Sequence, residues 1–420
     1  MPLKYYDSTT FRTLRKTTHT PQITTPYQPV SYDLVSRSGD EAAFVDMVTR
    51  CEKAGVKIIV DVVVNHMAGA KGVGINGTPY SYRNFTLYDE EDFHHDDDDL
   101  SSNCVVSDYD DIDNVQLCDL VGLPDLDTSS TKVQDTIVSY LDNMSSMGVY
   151  GFRMDAAKHQ QSEYMSQYLA KVSGNPYIFC EVIESPSEPV KATMYTDFCD
   201  VTEFGFPSSV GENVVNAGKM MYLGTLGESW GLIPSNEAVV FTDNHDTQRG
   251  DAPLTYKDGD LYNIMNAYML TYSYGFPKIM SSYYFTDNDE GPPSAGVDNG
   301  NNCKDGQWVC EHRRSVIGNL VAWRNSAGSA KVSNFASGNS GNSISFNRGN
   351  QAFVAINRSS SSWTLATGYS TGLSVGSYCN VADGDSCDQV FDVDGDGLLT
   401  NDVTVSGMSV FALHAGEMKR

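Results

Sequence analysis

The feature that most constrains this chain is a regular alternation of short, nearly unbroken apolar runs with apolar stripes at helical spacing. Residues 56–64 read VKIIVDVVV, which is too short to span a membrane and too continuous for a strand with one solvated face. Ahead of it, Phe44, Met47, Val48 and Cys51 recur at helical spacing, and Gly55 closes the segment. The rhythm returns with Val133, Ile137, Leu141 and Met144, a stripe ended by Gly148, and then VYGFRMD at 149–155 as a strand. A helix through Tyr164, Tyr168, Leu169 and Val172 leads to the strand YIFCEVI at 177–183. Strands at 239–243 and 276–281, with helices at 260–273 and about 312–325, extend the series. Alternation sustained this far predicts a parallel α/β sheet, open or closed into a barrel.

The remaining segments break that rhythm. Residues 1–26 are polar and basic with no usable periodicity, and read as poorly ordered. Residues 66–125, rich in Gly, Asp, Asn and Tyr and containing EEDFHHDDDD, are too long for a simple connection and read as an insertion. After Ser326 come short alternating runs, SISF, AFVAIN and SVFALHA, split by Gly, Ser and Asn turns, as in an all-β domain. With 28 Lys and Arg against 54 Asp and Glu, the net charge of −26 repels nucleic acid and anionic membranes. Of nine cysteines, Cys104 and Cys118, Cys303 and Cys310, and Cys379 and Cys387 bracket polar loops as local disulfides do, while Cys51, Cys180 and Cys199 stand apart. Disulfides imply an oxidising compartment, yet MPLKYYDSTT contains no apolar signal core. Either the start of the chain is missing or the cysteines are reduced.

Chemistry concentrates at four strand ends: DVVVNH at 61–66, GFRMDAAKH at 151–159, FCEVIE at 179–184 and FTDNHD at 241–246. Side chains two apart on a strand share a face, so Arg153 points with Asp155 and Asn244 with Asp246. A single such Asp is more often a helix cap or a surface carboxylate. Several charges aimed into a strand-lined interior are costly unless paired or used, and catalytic groups of barrel enzymes gather at the carboxyl ends of strands.

These four segments resemble the conserved regions of the α-amylase family of glycoside hydrolases. YQPVSYDL at 27–34, YGFPKIMSSY at 274–283 and WVCEHRRSVIGNLVAWRN at 308–325 are similar to its animal-type members. The resemblance implies a (β/α)8 barrel over 27–65 and 126–326, an insertion at 66–125 after the third strand, and a C-terminal β-sandwich-like domain over 327–420. It implies retaining endo-hydrolysis of α-1,4 bonds in starch, glycogen and maltooligosaccharides by a monomer, secreted in its full-length form. Alternatives are a same-family α-glucosidase or transglycosylase, or an inactive carbohydrate-binding homologue.

Residue by residue, Asp155 matches the nucleophile, Glu181 the general acid/base and Asp246 the carboxylate that stabilises the transition state. Retention requires the first two to flank the glycosidic bond, and Arg153 beside Asp155 is expected to favour its ionised form. Tyr27, Gln28, His66, Arg153, Lys158, His159, Ile183 and His245 match substrate-binding positions. Calcium is implied on the side chains of Asn65 and Asp125 and on the backbone carbonyls of Gln116 and His159. Chloride is implied on Arg153, Asn244 and Lys278, with Lys in place of the commoner Arg. The resemblance begins near Tyr27. The family's first barrel strand has no counterpart in residues 1–26, and Cys51 lacks the partner that stretch would supply. A barrel short of a strand exposes two edges, so the expectation is weak or absent activity of the chain as written.

Overall fold

The structure is a computed structural model and describes residues 13–14, 27–36, 38–95, 103–293, 303, 306–384 and 386–419. It divides into two compact units: one extends to Thr202 and adds Phe285–Pro292, the other comprises Glu203–Tyr284 and the chain from Pro293 onward.

In the first unit, helix α1 (Glu41–Lys53) begins at Asp40, whose carboxylate accepts from the Ala43 N–H at 3.0 Å. Glu41 in its first turn and Arg50 and Lys53 in its last suit the helix dipole, and Phe44 and Val48 are buried. Strand β1 (Ile59–Val62) follows with every residue buried. Helix α2 (Thr131–Ser146) buries Val133, Ile137, Leu141 and Met144, the stripe read from the sequence. Next come β2 (Gly151–Met154), α3 (Ser162–Leu169), β3 (Tyr177–Cys180) and β4 (Asp200–Thr202). The four strands run parallel in chain order, with Ile59 opposite Gly151, Gly151 opposite Tyr177 and Phe179 opposite Asp200. A Cβ on Gly151 would stand 2.3 Å from the Tyr177 carbonyl oxygen, so β2 and β3 pair there only because the residue is glycine.

Each ladder stops short of its apolar run. The expected strands 56–64, 149–155 and 177–183 are ordered as 59–62, 151–154 and 177–180, so that Asp155 and Glu181 each lie one residue beyond the end of a ladder. Residues 66–125 hold a two-stranded ribbon (Gly72–Val73 with Pro79–Tyr80) and a short helix, Ile112–Leu117. Arg83, 2% exposed, fastens this insertion by donating to Asp119 at 2.9 Å and to the His94 carbonyl at 2.8 Å. Of residues 1–26, only Thr13 and Leu14 are described, laddered antiparallel to Pro29–Ser31. The expectations of disorder and of a missing strand in the rest of that segment lie outside the described residues.

The second unit contains α4 (Gly205–Val215), β5 (Ala238–Phe241), α5 (Asp260–Thr271), β6 (Phe276–Lys278) and α6 (Ser315–Ala327), with β6 parallel to β5. Its all-β part follows: β7 (Val332–Gly338), β8 (Ser343–Arg348), β9 (Ala352–Asn357), β10 (Trp363–Leu365), β11 (Gly376–Cys379), β12 (Val390–Val393), β13 (Val403–Val405) and β14 (Ser409–His414). An antiparallel sheet in the order β7-β8-β9-β14 packs Phe353, Phe411 and Leu413 with Leu365, Tyr378 and Val403. Trp323 of α6 is fully buried and its indole N–H donates to the carbonyls of Phe353 and Leu413 at 3.1 and 2.9 Å, which ties helix to sheet.

The three local disulfides form as expected, and a fourth joins Cys180 to Cys199 with a Cα separation of 6.0 Å. Spacing along the chain does not pair those two cysteines. Cys180 ends β3 and Cys199 precedes β4, and the parallel register setting Cys180 opposite Val201 brings them together. Cys51 alone remains a free thiol.

Candidate active site

Four buried charged side chains form the core of the site in the first unit. Asp61 lies on β1 directly opposite Arg153 on β2, and the guanidinium donates to Asp61 at 2.6 Å and to Asp155 at 2.9 Å. Its other terminal nitrogen donates to Glu181. Asp61, Arg153, Asp155 and Glu181 are 3%, 2%, 7% and 7% exposed, so one cation is shared by three carboxylates out of bulk water. The Tyr27 hydroxyl donates to the second Asp61 oxygen at 2.7 Å. Asp61 was not singled out in the sequence; the signal was there, as the one charge inside an apolar strand.

Backbone geometry sharpens this arrangement. Ala156 has φ 49° and ψ 32°, a left-handed conformation unusual for a residue with a side chain, and its N–H donates to Glu181 Oε2 at 3.1 Å. Glu181 is therefore held on both oxygens, one by Arg153 and one by a backbone donor next to Asp155. Burial pushes the Asp155 carboxyl well above the usual carboxylate range; Arg153 pulls it back, while Glu181 and Asp61 push it up further. The arginine beside Asp155 was expected to favour its ionised form. Its charge is divided among three acids, and burial prevails. For Arg153, burial works against the charge most strongly, but Asp61, Glu181 and Asp155 together hold its proton firmly.

Around this core, His66 places Nε2 at 2.9 Å from the Tyr27 carbonyl and Nδ1 at 3.3 Å from the Asn65 amide. With the amide nitrogen turned to His66, Asn65 Oδ1 is buried without a hydrogen-bond partner, as is Asp125 Oδ1. The two residues share a locality, since His66 bridges to Asp125 and the Leu126 N–H donates to the Asn65 carbonyl at 2.9 Å. The other Asp125 oxygen meets His94 Nδ1 at 2.6 Å. Burial works against a charged His94 most strongly, but hydrogen bonds to Asp125 and Asp127 raise it to about 9. Burial raises Asp125 to about 7. His94, in a polar run with no periodicity, is a second participant that the sequence does not mark.

Two orphaned buried oxygens are what a hard cation would complete, so Asn65 and Asp125 fit calcium. Among the described residues no group of three or more His, Cys, Asp or Glu is placed so that it could hold a metal ion. Gln116 ties its helix to the segment after β2, its amide donating to Tyr195 Oη at 3.1 Å and to the Gln160 carbonyl at 3.3 Å. His159 Nδ1 faces the Val115 carbonyl at 2.9 Å, and burial pushes its pKa down to about 4. Lys158 pairs with Glu188 at 2.6 Å beneath the Tyr109 ring. Gln28 has a buried oxygen without a hydrogen-bond partner, and Ile183 is 49% exposed two residues beyond Glu181.

In the second unit, Asn244, His245 and Asp246 follow β5 in a tight turn. Asn244 Oδ1 accepts from the N–H groups of Asp246 and Thr247 at 3.0 and 2.7 Å, and His245 Nε2 lies 3.2 Å from an Asp246 oxygen. The Asp246 side chain is 57% exposed, and Lys278 ends β6.

Comparison with known proteins gives the family of the chain. The family described as "Alpha amylase, catalytic domain" matches residues 18–178, and "Alpha amylase, C-terminal all-beta domain" matches residues 336–416. An α-amylase of Tenebrio molitor is 40% identical over 86% of this chain and 79% of that protein. An α-amylase of Streptomyces violaceus is 41% identical over 85% of this chain, which spans only 61% of that longer protein. Crystal structures of α-amylase I from Eisenia fetida, wild type and a mutant with maltohexaose, superpose with a TM-score of 0.86, at 36% and 35% identity, covering 94% of this chain and 88% of theirs. This chain belongs to the α-amylase family of glycoside hydrolases and has that family's (β/α)8 catalytic domain and C-terminal all-β domain.

Proposed function

We propose that this chain is an α-amylase that cleaves internal α-1,4 bonds of starch, glycogen and maltooligosaccharides with retention of configuration. The observation that carries the reading is the Arg153 guanidinium joining Asp155 to Glu181, with the Ala156 N–H on the far Glu181 oxygen. Two carboxyls tethered to one cation suit the double displacement, in which one attacks the anomeric carbon while the other hands a proton to the leaving oxygen. Asp155 takes the nucleophilic role and Glu181 the acid/base role. Three buried carboxylates against one guanidinium favour a proton retained in the cluster, which supplies the acid for the first step. Once Asp155 is esterified its negative charge is gone, and Glu181 then draws a proton from the incoming water. Asp246, the most exposed of the three acids, takes the role of stabilising the positive charge that develops on the sugar ring.

Tyr27, Gln28, His66, Lys158, His159, Ile183 and His245 are the proposed sugar contacts. Asn65 and Asp125, with the carbonyls of Gln116 and His159, would hold calcium, which supplies a clamp on the inserted segment rather than a reacting group. Chloride is the second proposed ion, with Arg153, Asn244 and Lys278 as its holders. Four disulfides support an oxidising setting outside the cytoplasm.

The test is digestion of soluble starch with chromatographic analysis of products. A mixture of short maltooligosaccharides supports endo-hydrolysis, whereas glucose as the sole early product would replace it with exo-cleavage. Asp155→Asn, Glu181→Gln and Asp246→Asn should each lower kcat by about a thousandfold or more with the fold intact.

A further inference from the structure

The second unit contains a cavity of about 730 Å³ that none of the proposed site residues lines. That volume falls within the roughly 300–1,000 Å³ usual for small-molecule sites. Arg324, Lys331 and Arg348 contribute to its wall and no Asp or Glu does among the described residues, although the chain as a whole carries −26.

Both guanidiniums are held by carbonyl oxygens alone. Arg324 donates to the carbonyls of Tyr272 at 2.6 Å, Leu270 at 3.1 Å and Gly275 at 2.7 Å. Arg348 donates to those of Thr271 at 3.0 Å, Gly328 at 2.9 Å and Ala330. These groups close the C-terminal ends of α5 and α6, so each arginine caps a helix. Capping does not exhaust them. A guanidinium has five N–H groups, and the three acceptors of Arg348 use one hydrogen on each nitrogen, leaving one on each terminal nitrogen. The contacts of Arg324 all lie on its terminal nitrogens, leaving Nε–H. Carbonyl dipoles offset part of the field but carry no net charge. Burial, followed by the neighbouring Arg348, pushes Arg324 down to about 9, and burial pushes Arg348 down to about 10, so both remain cationic at neutral pH.

The backbone of the wall is also shaped. β7 slips register between Ser333 and Ala336, and Asn334 within the slip is left-handed at φ 52°. Bulges of this kind re-aim side chains, and Ser333, Asn334 and Phe335 all line the cavity.

We propose that this cavity binds a phosphate-class dianion, free or as a small phosphate monoester, on Arg324, Arg348 and Lys331. Planar guanidinium donors match the oxygens of such an anion. The space left beside Phe335 and the hydroxyl of Ser333 accommodates a sugar-sized body.

The test is isothermal titration of the intact chain at low salt with inorganic phosphate, glucose 1-phosphate and glucose. Saturable one-to-one binding of either phosphate, with none of glucose, is expected; tighter binding of the ester than of free phosphate identifies a monoester as the ligand, and the reverse identifies the free ion. Lys331 is exposed, so Lys331→Glu should fold normally and weaken binding by about tenfold or more, with starch hydrolysis unchanged. Arg348→Gln should weaken it as well. No saturable binding at about 10 mM phosphate or ester, or equal binding by Lys331→Glu, overturns the proposal. Since no strand-end carboxylate lines the cavity, this result and the hydrolysis result are independent.

Discussion

Replacing Arg153 with Met removes the cation that three buried carboxylates share. Breaking a buried pair by deleting one partner costs about 3–5 kcal/mol, and here Asp61, Asp155 and Glu181 are all left at 7% exposure or less. The loss expected at pH 7 is therefore about 3–5 kcal/mol. Its pH dependence has a definite sign. Asp155 already sits above its unfolded value with the arginine present, and removing the cation raises it further. A carboxyl raised in the folded state binds a proton that the unfolded chain has released, so the deficit grows as pH rises through the window between its folded pKa in wild type and the higher one in the variant. Lowering the pH from 7 to 5 should therefore relieve about 1.4 kcal/mol per unit for each carboxyl that takes up a proton in the variant while staying ionised in wild type. Urea unfolding of wild type and Arg153→Met at pH 5, 6 and 7 measures the difference. The double variant Asp61→Asn with Arg153→Met should recover part of it, having one fewer charge to neutralise. A deficit below about 1 kcal/mol at pH 7, the range of exposed pairs, or one that does not change with pH, would refute the claim that these carboxylates depend on Arg153.

Other consequences are accessible to simple measurements. Replacing both Cys180 and Cys199 with Ser opens a loop of 19 residues, for which chain entropy gives a loss of about 3 kcal/mol, read by urea unfolding. Thiol titration in denaturant without reductant should find one reactive group per chain, Cys51, among the nine cysteines; three would show that the Cys180–Cys199 bond is absent. Chelation should lower the unfolding temperature and added calcium should restore it. Asn65→Ala and Asp125→Ala should each abolish that response, and an unchanged response would remove these residues from the calcium site.

Much of the scaffold could be read from periodicity, because burial on both faces leaves an unmistakable apolar run at Ile59–Val62 and a clear stripe on Thr131–Ser146. The elements that escaped notice have weak local signals. Asp200–Thr202 is only three residues long, and the helix Gly205–Val215 opens with glycine and carries Pro207 in its first turn, where proline is tolerated but reads as a break. Pairings that depend on register could not be read at all. Asp61 opposite Arg153, and Cys180 beside Cys199, are neighbours because parallel strands align them, not because of any spacing along the chain. The electrostatics of Asp155 follow the same pattern: sequence places Arg153 two residues away, and the arginine does favour the ionised carboxylate, but sequence does not show the burial or the two other acids that share that cation.

The most direct measurement concerns the covalent step. A fluorinated maltosyl fluoride that slows hydrolysis of the glycosyl-enzyme should leave one added fluorinated maltosyl group per chain, and peptide mapping by mass spectrometry should place it on Asp155. Glu181→Gln should still form that ester when the leaving group is fluoride, which needs no proton, and should fail to release it at the normal rate. An adduct on any other residue, or release of product with inverted anomeric configuration, would contradict the assignment of Asp155 as nucleophile and Glu181 as its acid/base partner.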